Sequence, residues 1–153
     1  MPYEDIFQKI AAEYNLDWHL LLEQAYRESR FDPLAVGKAS DMGLMQILPA
    51  TWDEWAPKIG AYDPFDPESN VRVAAALLAW LREQVTKQGR PESYWMLVAY
   101  NWGIGNVLKL LKGGGNWSQV PQERQNYATD IILAGDANAI AAQMGPAARR
   151  MHG

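Results

Sequence analysis

A carboxylate interrupts the apolar face of the second helix that the sequence predicts. Trp18, Leu21 and Ala25 recur at steps of three and four residues, and a further step of three reaches Glu28. Partial burial raises the pKa of a carboxyl group, and the negative end of the helix dipole acts in the same direction. Glu28 is therefore a candidate general acid, since such a group must still hold its proton near neutral pH.

Periodicity alone favours a structural role for Glu28. Carboxylates at helix ends are common, and they often pair with a neighbouring cation, here Arg27 or Arg30, or lie in solvent. Catalytic carboxylates are much rarer. The choice between the two roles depends on the residues elsewhere in the chain.

The composition limits the other chemistry open to this chain. Its 153 residues include no cysteine and only two histidines, His19 and His152. The absence of cysteine excludes thiol nucleophiles, disulfides and Cys-ligated metals, and two histidines do not suggest a His-rich metal site. The 14 Lys+Arg and 18 Asp+Glu give a net charge of −4, whereas nucleic-acid-binding domains are usually basic. Catalysis must therefore use mainly carboxylates, hydroxyls, amides and aromatic rings.

Helical spacing dominates the elements that must position these groups, and no long window alternates at period two. The pattern predicts an all-α fold, with Gly- and Pro-rich loops over 30–48 and 101–120. We expect one domain over residues 1–134 and an Ala-rich tail over 135–153 that is weakly helical or disordered. The predicted helices are about 6–14, 18–29, a short one opened by Pro49, 67–88, 91–101, 106–111 and 121–133.

Four short segments stand in a fixed order along the chain. They are Glu28-Ser29, Gly43-Leu44-Met45-Gln46, Ala99-Tyr100-Asn101-Trp102-Gly103 and Glu123-Arg124-Gln125-Asn126-Tyr127. Together they resemble the E-S, G-L-M-Q, A-Y-N-x-G and E-x-x-x-Y signatures of the soluble lytic transglycosylase family. The resemblance covers about residues 5–133. Each motif is weak alone, but the ordered set is specific.

The resemblance implies a lysozyme-like helical fold with a glycan-binding cleft and no metal or organic cofactor. Members of this family cleave the β-1,4 bond between N-acetylmuramic acid and N-acetylglucosamine in peptidoglycan. Glu28 matches the family's catalytic acid, which protonates the glycosidic oxygen. As a base, it then takes the proton of the muramic C6 hydroxyl, which closes on C1 to give a 1,6-anhydro end. The implied partner is the glycan strand of peptidoglycan.

The same resemblance implies a set of substrate-binding residues. Gln46 would offer both a donor and an acceptor to a sugar amide. The Tyr100 hydroxyl would bond Glu28 or the N-acetyl group, whereas Asn101 and Tyr127 have more structural roles. Gly43 would allow a positive φ or a close backbone approach. The full set is Ser29, Gly43, Met45, Gln46, Tyr100, Asn101 and Tyr127.

Several residues depart from the family pattern or remain open to a structural reading. Trp102 replaces a residue that is commonly small, Gly37 stands where some members have serine, and Asp41-Met42 replaces small residues. Met45 by itself would be core filler. Among the tryptophans, Trp18, Trp52, Trp80 and Trp95 are expected mostly in the core, and Trp55, Trp102 and Trp117 are the cleft candidates.

Two other functions stay open: a hydrolytic muramidase of the same superfamily, and a non-catalytic glycan-binding or structural module of a phage tail or secretion machine. The substrate requires action outside the cytoplasmic membrane, although no signal peptide is visible at the start of this chain. The longest apolar run, Val73–Leu81, is about half of the roughly 20 residues of a membrane span. We expect a monomer.

Overall fold

The computed structural model describes residues 3–144, which are mainly helical, as the periodicity predicts. Within this range there are no β-strands, and extended pairing is limited to two isolated antiparallel bridges, Val36–Met42 and Met42–Ile47. The all-α class is therefore confirmed. The elements are α1 (Glu4–Tyr14), α2 (Trp18–Ser29), α3 (Pro49–Ile59), α4 (Pro67–Lys87), α5 (Ser93–Trp102), α6 (Ile104–Lys112), a 3₁₀ helix (Trp117–Gln119) and α7 (Gln122–Met144).

The chain forms two compact units, and the boundary between Leu77 and Leu78 falls inside α4. In the first unit α1 packs against α2, and Phe7, Ile10 and Leu21 are among the side chains that this packing buries. In the second unit α5 packs against both α6 and α7. Five consecutive residues of α5, Trp95–Ala99, are apolar, and all five are buried.

Local capping signals explain several of the observed helix ends. The side chain of Asp17 accepts a hydrogen bond from the backbone N–H of His19 at 2.9 Å and begins α2. Asp66 similarly accepts from Ser69 N–H at 2.9 Å, directly before Pro67 opens α4. Gly89 follows α4 with a φ of 78°, the left-handed conformation that ends many helices. These three predicted boundaries are confirmed.

The last helix differs from its predicted length. The predicted end near Leu133 is wrong, because α7 continues to Met144. Gly135 is buried within the helix, and the alanines that follow it have high helix propensity. The rest of the predicted tail, residues 145–153 with His152, lies outside the described residues. None of the helices within 3–144 is long and apolar enough to cross a membrane.

An ion-pair cluster on the surface of the first unit joins α1 to the first turns of α4. Lys9 Nζ lies 2.8 Å from Glu68 Oε1, Arg72 pairs with Glu13, and Arg72 Nη2 lies 3.4 Å from Glu68 Oε1. The hydrogen bond and charge of Lys9 hold the pKa of Glu68 below its ordinary value, with a smaller contribution from Arg72. The pairs that Glu68 makes therefore stabilise the folded state only while Glu68 is ionised.

We expect Lys9→Met to destabilise the protein by less than about 1 kcal/mol near neutral pH, because the pair is exposed. A carboxylate with a lowered folded pKa stabilises the fold above its unfolded pKa, and this contribution disappears as pH falls through the folded value. The difference between wild type and variant should therefore shrink below about pH 4.5. Urea denaturation at several pH values measures it. Lys112→Met, at an exposed lysine without a carboxylate partner among residues 3–144, is the control and should show no such trend.

Candidate active site

Glu28 and Ser29 occupy the last turn of α2, as the sequence predicts. Glu28 is half-buried, and Leu21 and Ala25, which precede it on the same stripe, are buried. The Ser29 hydroxyl donates to the carbonyl oxygen of Ala25 at 3.1 Å. Because this bond uses the only proton of the hydroxyl, Ser29 can offer another group only its acceptor lone pairs.

A turn follows Glu28 and Ser29 directly. Arg30 and Phe31 both adopt left-handed conformations, with φ of 53° and 63°. Such conformations are uncommon for residues other than glycine, so surrounding contacts must hold them. The rings of Tyr26 and Phe31 pack at 5.3 Å between centroids, and the Asp32 carboxylate accepts from the N–H of Leu34 at 2.9 Å. The helix end that carries Glu28 is thus closed by an ordered turn.

The loop that follows is irregular, but it is closely bonded to itself. Met42 and Ile47 exchange backbone hydrogen bonds of 2.9 and 3.0 Å, and Gly43 N–H donates to Ala35 O at 2.8 Å. Gln46, at a φ of 51°, donates through Nε2 to Ala35 O at 3.1 Å and to Gly43 O at 2.9 Å. Both amide protons of Gln46 are used within the loop, and its binding of a sugar stays a prediction. Its carbonyl oxygen remains as an acceptor.

Gly43 meets both of the structural expectations placed on it. Its φ is 76°, and a Cβ at this position would lie 2.6 Å from the carbonyl oxygen of Pro64 and against the side chain of Asn70. A side chain is therefore excluded by backbone conformation and by space at once. Gly43 is buried, so its contribution to the site is the close approach of its backbone to Pro64 and Asn70.

Two residues predicted to bind substrate lie inside the protein. Met45 has no exposed surface, and Tyr127 is 4% exposed. The Met45 side chain supports the loop from the core, and its substrate-binding role stays a prediction. Tyr127 is a buried residue of α7. Its predicted structural role stays a prediction.

In the second unit, Tyr100 and Asn101 stand side by side in the last turns of α5, and both are half-buried. Arg124 of α7 donates through Nη1 to the Asn101 side-chain oxygen at 2.8 Å and to its backbone oxygen at 3.2 Å. This arrangement fits the predicted loop-fixing role of Asn101. Arg124 was not predicted. The only sign of it in the sequence was its position inside the Glu123–Tyr127 segment. Its partner, Asn101, lies in a different motif and could not be identified from the sequence.

The tryptophans divide differently from the sequence-based expectation. Trp52 and Trp95 are buried, whereas Trp80 is 37% exposed, which corrects its assignment to the core. Trp55 carries the Lys58 ammonium 4.3 Å from its ring centroid. Trp117 is half-buried and meets Trp95 edge-on, with their centroids 5.3 Å apart. These contacts give Trp55 and Trp117 structural partners while leaving part of each ring exposed.

The described residues include no cluster of three or more His, Cys, Asp or Glu suited to a metal ion. Within the first unit, the structure brings together Gly43, Met45 and Gln46 in one turn and places Glu28 with Ser29 at the end of α2. Within the second unit, it brings Tyr100 and Asn101 together on α5 and places Tyr127 on α7.

Solved structures with the same architecture define the class of the domain. The 70-kDa soluble lytic transglycosylase Slt70 from Escherichia coli is 25% identical, with a TM-score of 0.74, over 88% of this chain and 23% of that one. An inactive mutant of the lytic transglycosylase Slt from Pseudomonas aeruginosa, 22% identical, gives a TM-score of 0.76 over the same shares. The fold is the lysozyme-like helical domain of these proteins.

Sequence relatives give the family. The model of the transglycosylase SLT domain matches residues 5–119, so this chain belongs to the SLT domain family. A membrane-bound lytic murein transglycosylase F from Alcanivorax borkumensis is 34% identical over 78% of this chain and 27% of its own length. The protein of the same name from Maricaulis maris is 37% identical over 69% of this chain and 23% of its own length. This chain thus spans about a quarter of these relatives.

Gly43→Ala should destabilise the first unit strongly, and Gly60→Ala is its matched control. Both glycines have a φ near 70°, at 76° and 70°, but a Cβ at Gly60 would meet nothing within 4 Å. Gly60→Ala therefore measures conformational strain alone, about 1–2 kcal/mol. We expect Gly43→Ala to cost roughly 1–3 kcal/mol more because it also overpacks the turn. Equal losses in urea denaturation would contradict the close approach to Pro64.

The bond between Arg124 and Asn101 can be measured with a double-mutant cycle. Arg124→Met removes a charged donor to a part-buried amide, and we expect a loss of about 1.5–3 kcal/mol in the free energy of unfolding. Asn101→Ala combined with Arg124→Met should cost less than the sum of the single changes. Additive losses would show that the two side chains stabilise the fold independently.

Proposed function

We propose that this chain is a peptidoglycan lytic transglycosylase that cleaves the bond between N-acetylmuramic acid and N-acetylglucosamine without water. The observation that carries the proposal is the position of Glu28. It is a half-buried carboxylate on the stripe of α2 that holds Leu21 and Ala25, followed by the ordered left-handed turn at Arg30 and Phe31. Membership of the SLT domain family and the names of the relatives support the same reaction.

Glu28 first acts as a general acid in this proposal. Its carboxyl proton passes to the glycosidic oxygen, and the bond from C1 to that oxygen breaks. The negative end of the α2 dipole and partial burial both favour the protonated starting form. Glu28 then accepts the proton of the muramic C6 hydroxyl as the C6 oxygen bonds to C1. The carboxyl group is thereby regenerated, and the product ends in a 1,6-anhydro sugar.

The proposed mechanism needs a single catalytic carboxyl group. Most glycosidases use two carboxyl groups. In this chain the Asp32 carboxylate accepts from Leu34 N–H at 2.9 Å, and the Asp41 carboxylate accepts from Ala39 N–H at 3.3 Å. Both therefore stabilise turns of the loop. The positive charge of the transition state would instead be shared by the substrate's N-acetyl group, as in substrate-assisted exceptions to the two-carboxylate rule.

Binding of the glycan strand would use the remaining polar groups of the predicted set. The carbonyl oxygen of Gln46 is suited to accept from a sugar N–H, because the amide protons are already bonded within the loop. Tyr100, half-buried on α5, would contribute its hydroxyl. The net charge of −4 gives no attraction to an anionic wall, so affinity would depend on such contacts. The place of action would be outside the cytoplasmic membrane, and the enzyme would act as a monomer.

Glu28→Gln keeps the shape of the side chain and removes the transferable proton. We expect the rate of peptidoglycan cleavage to fall by about 10²–10⁴-fold, the usual contribution of a positioned acid and base. Glu54→Gln, at an exposed residue of α3, is the matched control and should retain the wild-type rate. Release of soluble muropeptides from purified peptidoglycan measures the rate. A Glu28→Gln variant with undiminished activity would eliminate Glu28 as the acid.

Mass spectrometry of the same digest separates the remaining functions. A lytic transglycosylase gives muropeptides that are lighter by one water than the products of hydrolysis. Products that contain the added water would support the hydrolytic muramidase. Wild-type protein that binds peptidoglycan in a sedimentation assay but releases no product would support the non-catalytic module.

A further inference from the structure

We propose that Asn70 is a positioning residue for substrate binding that acts through the turn Gly43–Gln46. The inference rests on the proposed function, and it assigns a role to a residue outside the four sequence motifs. Asn70 lies in the first unit, in the second turn of α4, and has no exposed surface. It therefore does not touch the substrate itself.

The carboxamide of Asn70 makes three hydrogen bonds, all of them to backbone groups. Its Oδ1 accepts from the backbone N–H of Met45 at 2.8 Å. Its Nδ2 donates to the carbonyl oxygens of Met42 at 2.9 Å and of Pro64 at 2.8 Å. The side chain thus bonds to three backbone groups of irregular segments, and one of them, Met42 O, also accepts from Ile47 N–H at 3.0 Å. No apolar side chain and no carboxylate can replace this combination of one acceptor and two donors.

The turn of α4 that carries Asn70 is itself held firmly. Asn70 N–H donates to Asp66 O at 2.9 Å, within the helix start that the Asp66 side chain caps. On either side along α4, Glu68 and Arg72 form ion pairs with α1. Asn70 therefore holds the irregular turn Gly43–Gln46 in a fixed position against α4.

The contacts continue from Asn70 to the proposed substrate-binding group. Met42 and Met45, both bonded to Asn70, bracket the tightly packed Gly43. Gln46 follows Met45 directly, and its side chain bonds to the Gly43 carbonyl at 2.9 Å. A displacement of this turn must therefore move the Gln46 carbonyl oxygen. Displacements of about 1 Å near a reacting group can reduce rates 10²-fold.

Asn70→Asp is the principal test, because it preserves shape but places a carboxylate against the carbonyl oxygens of Met42 and Pro64. Asn116→Asp is the matched control for the same change of charge. Asn116 uses its Oδ1 to accept from Ser118 N–H at 3.1 Å, a role that aspartate fills equally well. We expect Asn70→Asp to weaken binding to purified peptidoglycan at least tenfold in the Glu28→Gln background, and Asn116→Asp to leave it unchanged.

A double variant distinguishes positioning from general destabilisation. If Asn70 acts through Gln46, Asn70→Asp with Gln46→Leu should bind no more weakly than the weaker of the two single variants. Additive losses, or unchanged binding in Asn70→Asp, would overturn the proposal. If Asn70→Asp does not fold, as judged by thermal denaturation, Asn70→Ser keeps one donor and one acceptor and serves in the same cycle.

Hydrogen exchange provides a readout that does not depend on the substrate. The Met45 amide should be protected in the wild type and exchange at least tenfold faster in the Asn70 variant, since Asn70 is its acceptor. Unprotected Met45 in the wild type would overturn the positioning role directly. Protected Met45 in a wild-type protein that neither binds nor cleaves peptidoglycan would instead refute the proposed function.

Discussion

The burial of backbone polar groups in an irregular loop is the constraint on which the first unit depends. Loop residues 42–47 belong to no strand or helix, and their local pairing is limited to the bridges of Met42 with Val36 and Ile47 and a few turn hydrogen bonds. The Asn70 carboxamide supplies further partners from α4, accepting from Met45 N–H and donating to Met42 O. Because Asn70 and Pro64 lie so close to this loop, they occupy the space that a Cβ of residue 43 would fill, and only glycine fits there.

In the second unit, backbone polar groups at the end of a helix also need hydrogen-bond partners. The last carbonyl groups of α5 lack partners within the helix. Arg124 of α7 bonds to both the backbone and the side-chain oxygens of Asn101, so it fixes the residue next to Tyr100. In each unit, a polar side chain on a helix bonds to a segment that carries a motif: Asn70 of α4 in the first unit and Arg124 of α7 in the second. The motifs thus depend on residues that they do not contain.

Much of the fold could be predicted from local signals. The apolar spacing identifies the helices, and Asp17, Asp66 and Gly89 mark boundaries through interactions with backbone groups only a few residues away. The end of α7 could not be predicted in this way. Glycine has a low helix propensity, so Gly135 was expected to end the helix. Here Gly135 is buried within α7, and tertiary packing overrides this propensity. Trp80 shows the converse, since its apolar surroundings in sequence did not ensure burial.

The sequence by itself determined the helical class, the family and the place of Glu28 at the end of α2, because periodicity, motif order and capping are properties of neighbouring residues. Only the tertiary structure decided which side chains of those motifs are available to a ligand. Met45 is enclosed, and the amide protons of Gln46 are already bonded. Asn70 and Arg124 were also beyond the sequence, since their partners lie about 25 residues away along the chain. Hydrogen bonds across such separations depend on how helices pack, which a local pattern does not encode.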